Sequence, residues 1–301
     1  METKSNTEWM KNVKERCKLK HGFIMPSNGK SGGLALLCKE GIIVDVQTFS
    51  QTHIDAVVDG GISVGKWHLT GFYGNPNTRK RPESWSKLEH LKGTSTLPWL
   101  TIGDFNELTS LSERERGSNR ARQHMQNFLD TINFRGFMEV DYIGPKFTWL
   151  YQKADGSQIR ERLDRALATP EWLALFPIAK LFHLTSLASD HSPLALRMVQ
   201  KSHKRRQKKM FKFEAIWLKD QRCEWVVQAT LEEGLSLKAD YTLGKCMEIC
   251  RARLEGWNKT EFGHMGRKIS ELQKHLKWIE LQPTTLDIAQ LMRNTRIELN
   301  G

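Results

Sequence analysis

No apolar run in this chain is long enough for anything but a strand. The longest, such as residues 34–38, hold about five residues, against the ~20 that a membrane-crossing helix needs. Most are bounded by turn-forming residues and so read as strands. Gly32-Gly33 leads into LALLC (34–38), Lys39-Glu40-Gly41 reads as a turn, and IIVDV (42–46) as the returning strand of a hairpin. HIDAVVD (53–59), Gly60-Gly61 and KWHLTGFYG (66–74) repeat the pattern. PWLTIGDFNE (98–107) is a short apolar strand that runs into polar residues. KFTWLYQ (146–152) and RERLDRALA (160–168) predict another hairpin across Asp155-Gly156, a strong turn pair. LFHLTSLASDHSPLALRMV (181–199) reads as two strands flanking a polar corner. Helical spacing intervenes at 8–18, at 121–135, where Met125, Phe128, Leu129 and Ile132 share a face, and at 170–176.

The character changes at KSHKRRQKKMFK (201–212), a basic linker. Beyond it strands vanish. Leu243, Met247, Cys250, Leu254 and Trp257 are spaced by four and three in alternation, and Met265, Ile269, Leu272, Leu276 and Ile279 repeat the rhythm. This is heptad spacing whose phase slips at 258–266, where Gly263 and Gly266 favour a break. Two packed helices or one interrupted helix satisfy it. The organisation read from sequence is therefore a domain at 1–200, a linker at 201–212 and a coiled-coil-like helical connector at 213–301. Residues 243–279 offer an apolar stripe for helix pairing or self-association.

Charge narrows the partners. The net charge is +12, with +5 carried by residues 1–200 and +7 by the shorter tail. Such a balance favours anionic partners, nucleic acid first, and nothing in the sequence suggests a membrane partner. The first twenty residues are polar and charged, unlike a signal peptide. Five scattered cysteines point to reduced thiols, as in nucleus or cytosol. Cys246 and Cys250 lack a zinc partner pair, since His264 and His275 are eleven apart; they read as small apolar residues one helical turn apart.

Three polar clusters sit at the ends of apolar strands, where a rigid scaffold presents side chains to a common cleft. They are Tyr73 after WHLTGF, Asp104 and Asn106 after WLTIG, and Asp190-His191 after LTSLAS; Asp164 within RLDRAL adds another carboxylate. Cleavage of a phosphodiester needs a group to activate water and groups to hold the phosphoryl oxygens. Asp104 can accept the proton of water and Asn106 can donate to the developing charge. His191 needs a carboxylate to fix its tautomer, and Asp164 can supply it. Asp190 can bind a hard cation such as Mg2+, and Tyr73 can hydrogen-bond a phosphate oxygen. Structural roles also fit each item. Asp-x-Asn after a strand is a common Asx-turn, Ser-Asp-His-Ser-Pro can be a turn, Tyr73 can be core or rim, and Asp164 can pair with Arg162 and Arg165 on the surface.

Taken in order, the motifs SGGLALLCKE (31–40), LTGFYGNPNTRKRPESW (69–85), PWLTIGDFNEL (98–108), GPKFTW (144–149), IRERLDRALA (159–168), WLALFP (172–177) and SDHSPL (189–194) carry a family likeness. The chain resembles the endonuclease/exonuclease/phosphatase superfamily, relatives of DNase I and the apurinic/apyrimidinic endonucleases. It is most similar to the endonuclease region of plant LINE-type non-LTR retrotransposons. The resemblance implies an α/β fold, a four-layer sandwich of two mixed β-sheets flanked by helices, here followed by an all-helical C-terminal extension. It implies that Asp104 and Asn106 activate the nucleophile and stabilise the transition state, that His191 contacts phosphate and that Asp164 orients it. Tyr73 matches a phosphate-binding tyrosine, and Asp190 and Glu2 match metal-side acids, Glu2 through its fit to an ETK-like motif. The implied cofactor is Mg2+, with Mn2+ as a substitute, and the implied partner is DNA, with RNA as an alternative.

The family pattern also has an Asn-bearing strand, WNxRG-like, some thirty residues before that Glu, and the chain has no such segment. The resemblance therefore predicts an N-terminally truncated member with Glu2 on a frayed end. Loss of one donor aimed at the transition state costs about 10²–10³ in rate. Three functions follow as expectations: a Mg2+-dependent DNA endonuclease of retrotransposon origin, a catalytically impaired remnant that only binds nucleic acid, or a phosphatase of small phosphoesters.

Overall fold

The computed structural model describes residues 3–29, 31–117, 120–134, 136–153, 155, 157–186, 189–199, 213, 215–236, 242–261, 263–283 and 285–300. Glu2 and the basic linker 201–212 lie outside the described residues. The chain divides into two compact units, one formed by Met1–Gln200 with Lys277–Asn300, the other by Lys201–Leu276. The C-terminal stretch of the expected 213–301 connector thus belongs with the first two hundred residues.

The first unit opens with helix α1 (Thr7–Arg16), whose N-cap Asn6 accepts from Trp9 N. Strands β1 (His21–Asn28) and β2 (Ser31–Cys38) form an antiparallel pair, and β3 (Ile43–Ser50), β4 (His53–Asp59) and β5 (Lys66–Tyr73) follow. Helix α2 (Arg81–Gly93), with Pro82 in its first turn, precedes β6 (Trp99–Asp104). Then come β7 (Arg114–Glu115), α3 (Arg122–Phe134), β8 (Met138–Glu139), β9 (Tyr142–Ile143), β10 (Trp149–Gln152), β11 (Gln158–Glu161), β12 (Asp164–Ala168), α4 (Pro170–Leu175), β13 (Lys180–His183) and β14 (Leu194–Arg197). The tail forms α5 (Gln221–Ser236), α6 (Leu243–Glu261), α7 (Gly263–Glu280) and α8 (Leu286–Asn300). No helix among the described residues is long and apolar enough to cross a membrane.

Mixed sheets flanked by helices are present, as expected for a DNase I-like fold. Among the described residues the strands fall into four hydrogen-bonded groups rather than two: β3-β4-β5-β6-β12-β8, β14-β13-β9, β10-β11-β7 and β1-β2. The predicted hairpin of 34–38 with 42–46 does not form. β2 pairs with β1, and the turn at 39–42 carries the chain across to β3 in the six-stranded sheet. The predicted strand 160–168 is likewise split, its first part in β11 and its second in β12.

Side-chain alternation in the six-stranded sheet builds a core on each face. Leu100, Ala166 and Ala168 point to one side, against Trp172, Phe176 and Leu181. Trp99, Phe72 and Leu167 point to the other, against Trp85 and Leu88 of α2 and Phe128 of α3. On the first side Leu34–Leu36 of β2 and Ile54, Leu69, Gly71 and Ile102 of the large sheet enclose a cavity of about 100 Å³. In the second unit the heptad residues Cys250, Leu254 and Trp257 of α6 pack on Trp217, Cys223, Val226 and Val227. Leu243 and Met247 of the same helix stay exposed. All five cysteines are free thiols.

Candidate active site

The end of β6 is the meeting point. Asp104, its last residue, lies beside Tyr73 across the parallel β5–β6 ladder and opposite Asp164 across the antiparallel β6–β12 ladder. Directly opposed residues put their side chains on the same face, so two carboxylates share one spot. His191 reaches it through an isolated bridge to Trp149. Its Nδ1 lies 2.9 Å from Asp164 Oδ2, and its Nε2 lies 3.9 Å from Asp104 Oδ2. Asp104 and Asp164 are buried, and His191 keeps 28% of its side-chain surface exposed, enough to meet a ligand from solvent.

Local chemistry fixes each group. Asn106 takes the left-handed φ of 55° that asparagine tolerates. This turns its backbone N–H to Asp104 Oδ1 (2.8 Å), an Asx-turn, while its Nδ2 donates to Asp104 Oδ2 (2.8 Å) and to Gly74 O (2.9 Å). The Asx-turn expected of Asp-x-Asn is present, and it aims the Asp104 carboxylate. Gly74 is required here, since a Cβ would stand 2.2 Å from Phe105 O. Thr148 Oγ1 accepts from both Leu163 N (3.0 Å) and Asp164 N (2.9 Å). Tyr73, half-buried at the end of β5, anchors its N–H on Thr52 O. Asp190 accepts from Trp149 Nε1 (3.1 Å) through its carboxylate and from Leu150 N (2.9 Å) through its carbonyl.

The electrostatics follow from two carboxylates in one buried place. Burial, then the neighbouring Asp164 charge, push the Asp104 carboxyl up to about 7. Burial works to lower His191, but the hydrogen bond and charge of Asp164, with Asp104 and Asp190, prevail and raise it to about 9. A pKa of about 9 favours the imidazolium at neutral pH, with Nδ1–H donated to Asp164 and Nε2 on the side of Asp104.

The Endonuclease/Exonuclease/phosphatase family model matches residues 5–191, which span every described site residue. The chain belongs to this family. Among solved structures it is similar to a 3′ phosphatase, NExo, from Neisseria, bound to a product DNA hairpin. That match has 14% identity, covers 66% of this chain and 87% of that one, and has a TM-score of 0.50. It is also similar to the endonuclease domain of TRAS1, a telomere-specific non-LTR retrotransposon, at 12% identity over 66% of this chain and 94% of that one, TM-score 0.48. The AP endonuclease LMAP from Leishmania major aligns at 14% identity over 64% and 74%, TM-score 0.49. No curated protein sequence matches.

For a family member of this kind the donor set suits a divalent cation. Carboxylate oxygens of Asp104 and Asp164 lie within 4.8 Å of each other, with His191 beside them as the partner of Asp164 and not as a ligand. Asp164 Oδ1 is buried without a hydrogen-bond partner among the described residues, an orphan acceptor that a cation would satisfy. Asp190 stands beside this trio rather than within it.

Around the candidate site lies a network of ion pairs that the sequence pattern did not bring out. Glu107 is bridged by Arg81 (2.6 Å) and Arg120 (3.1 Å), and Glu161 by Arg120 (2.5 Å) and Arg114 (3.1 Å). Glu113 takes Arg162 and Arg165, each at 2.9 Å, and Arg162 also meets Glu139. Arg162 and Arg165 thus pair with Glu113 and Glu139, and the expected surface pairing with Asp164 does not occur. Burial would raise the Glu113 carboxyl, but Arg165 and Arg162 hold it below its usual range. The alternating charges of SERER (112–116) and RERLDR (160–165) were the available signal.

Proposed function

We propose that this chain is a divalent-metal-dependent phosphodiesterase that nicks DNA, of the kind encoded by non-LTR retrotransposons. The observation that carries it is the Asp104–Asp164–His191 constellation at the ends of β6 and β12 in a member of a nuclease and phosphatase family. DNA as substrate is supported by the net charge of +12 and by the DNA hairpin bound to the Neisseria relative. The free thiols fit a reducing compartment, nucleus or cytoplasm.

In this reading a phosphate oxygen is held by Nε2–H of the His191 imidazolium, whose orientation Asp164 fixes through Nδ1. Asp104, ionised above about pH 7, takes the proton of the attacking water. Asn106 aims Asp104 with both its N–H groups, and Tyr73 adds a phosphate contact at the rim. Mg2+, or Mn2+, would be held by Asp104 and Asp164, with Glu2 and Asp190 as further acids, and when bound would neutralise charge building on the phosphoryl group.

Relaxation of supercoiled plasmid in Mg2+ tests the reading. The chain nicks, chelator stops it, and Asp104→Asn and His191→Ala each lower kcat by about 10²–10⁴. Turnover of small phosphomonoesters exceeding that of plasmid would replace the nuclease reading with a phosphatase. Nicking by His191→Ala at the parent rate would refute the site.

A further inference from the structure

The end of α7 and the helix α8 lie against the loop that carries His191, and we infer that Glu280 is a positioning residue for that loop. Its kinetic consequence rests on the phosphodiesterase reading; its structural consequence does not. The loop joins β13 to β14 and is closed where Leu184 N donates to Pro193 O (2.9 Å). Within it Ser189 N donates to Ser186 Oγ (2.9 Å), and His191 N to Ser189 Oγ (3.1 Å). A chain of short bonds therefore links the start of the loop to the backbone of the histidine.

Two elements grip this loop from outside. On one side β10 and its approach hold Asp190 and Ser192, through Leu150 N to Asp190 O (2.9 Å) and Ser192 N to Thr148 O (2.7 Å). On the other, Thr185 Oγ1 donates to Glu280 Oε2 (3.1 Å). Glu280 is itself fixed. Arg160 Nη1 donates to Gln282 O (2.8 Å) and reaches Glu280 O (3.5 Å), satisfying carbonyls at a helix C-terminus that otherwise lack partners. Arg296 of α8 stands 3.8 Å from Glu280 Oε1.

Arg160 couples the two grips. It is buried in β11 directly opposite Leu150 of β10, so one side chain ties the strand that holds Asp190 to the helix end that holds Thr185. Between loop and helices is a void of about 30 Å³, lined by Arg160, Ser186, His191, Glu280, Met292 and Arg296. Its size suits a water molecule or two. Arg160 Nε and Nη2 and Arg296 Nε, all buried, have no protein partner among the described residues. Catalytic groups tolerate little displacement, and Glu280 makes no contact of its own with Asp104 or Asp164 among the bonds described. Its loss should therefore slow turnover more than it weakens substrate binding.

The test compares the full chain with Thr185→Val, Glu280→Ala, the double variant and Glu280→Gln. Plasmid nicking gives kcat and KM, and hydrogen exchange follows the amides of 189–192. Each single variant is expected to lower kcat about tenfold with a smaller change in KM, and to speed exchange at 189–192. The double variant should lose no more than either single, because both remove one bond. Glu280→Gln, which retains an acceptor for Thr185, should recover most of the loss. The inference falls if Thr185→Val keeps the parent kcat and exchange, if the two losses multiply, or if KM rises while kcat holds. Should the parent not nick at all, the phosphodiesterase reading fails and exchange decides alone: faster exchange in both singles sustains Glu280, and unchanged exchange removes it. If Glu280→Ala does not fold, Thr185→Val, which conserves shape, carries the decision.

Discussion

Asp104 and His191 titrate against each other, and this sets how the site should respond to pH. A base must be ionised, so kcat/KM is expected to rise through the Asp104 ionisation near pH 7. A phosphate-holding imidazolium must keep its proton, so the rate should fall again above about 9. Coordination by a cation lowers a carboxyl pKa, so raising Mg2+ should move the acid limb to lower pH. A pH–rate profile at two Mg2+ concentrations checks both limbs, and His191→Asn should remove the upper one. A second histidine works in the opposite direction. Burial, then the nearby Lys87, push His53 down to about 4, with its ring nitrogens held by Ser50 and Thr48. Its folded pKa lies below the unfolded value of 6.5, so its contribution is complete above pH 6.5 and is lost as pH falls towards 4. The ceiling is roughly 3 kcal/mol. Urea unfolding of parent and His53→Gln between pH 7 and 4.5 should show a steeper fall for the parent. Of these residues, the strand-end groups Asp104, Asn106 and His191 were legible because polar residues closing an apolar run stand out. Thr148 and Glu280 were not, because their roles depend on which strand or helix end the fold brings beside them.

Among the elements, the passage from β11 to β12 shows why the strand 160–168 could not be read as one piece. At Leu163-Asp164 the chain leaves the three-stranded sheet for the six-stranded one, and the two backbone donors at that point are taken by the single hydroxyl of Thr148, fifteen residues upstream. No local pattern announces such a switch. The same holds for β1, whose HGFIMPSN has only a three-residue apolar centre, closed by Pro26, a residue suited to an edge strand. LALLC therefore looked free to pair forwards, whereas β1 claims it. The arginines of this passage stabilise it only as a set. Arg165→Met, which leaves Glu113 buried with one partner fewer, should cost about 3–5 kcal/mol, read as a fall in the midpoint of thermal unfolding. Replacing Glu113, Glu139, Arg162 and Arg165 together by apolar residues should cost less than that single change, because none of the four charges is then left without its partner.

For the molecule as a whole, the charge excess predicts binding that weakens with salt more than with sequence. Affinity for a short duplex should drop at least tenfold between 50 and 200 mM salt, the effect of about two phosphate contacts, and should vary little among duplexes of equal length. Fluorescence anisotropy would measure both. The split of the tail was not legible in sequence, because the heptad run 265–279 continues unbroken past Leu276, where the two units divide.

The pairing of Arg160 with carbonyls more than a hundred residues further on has a consequence for biosynthesis. At translation rates of about 5–20 residues per second, roughly 6–24 s pass between the synthesis of Arg160 and that of the helix end it holds. Through much of that time Asp104 and Asp164 are already made while the helix end that steadies the histidine loop is not. During that interval the histidine loop has one grip instead of two, so a nascent chain would show the slower turnover expected of Glu280→Ala until the end of α7 docks.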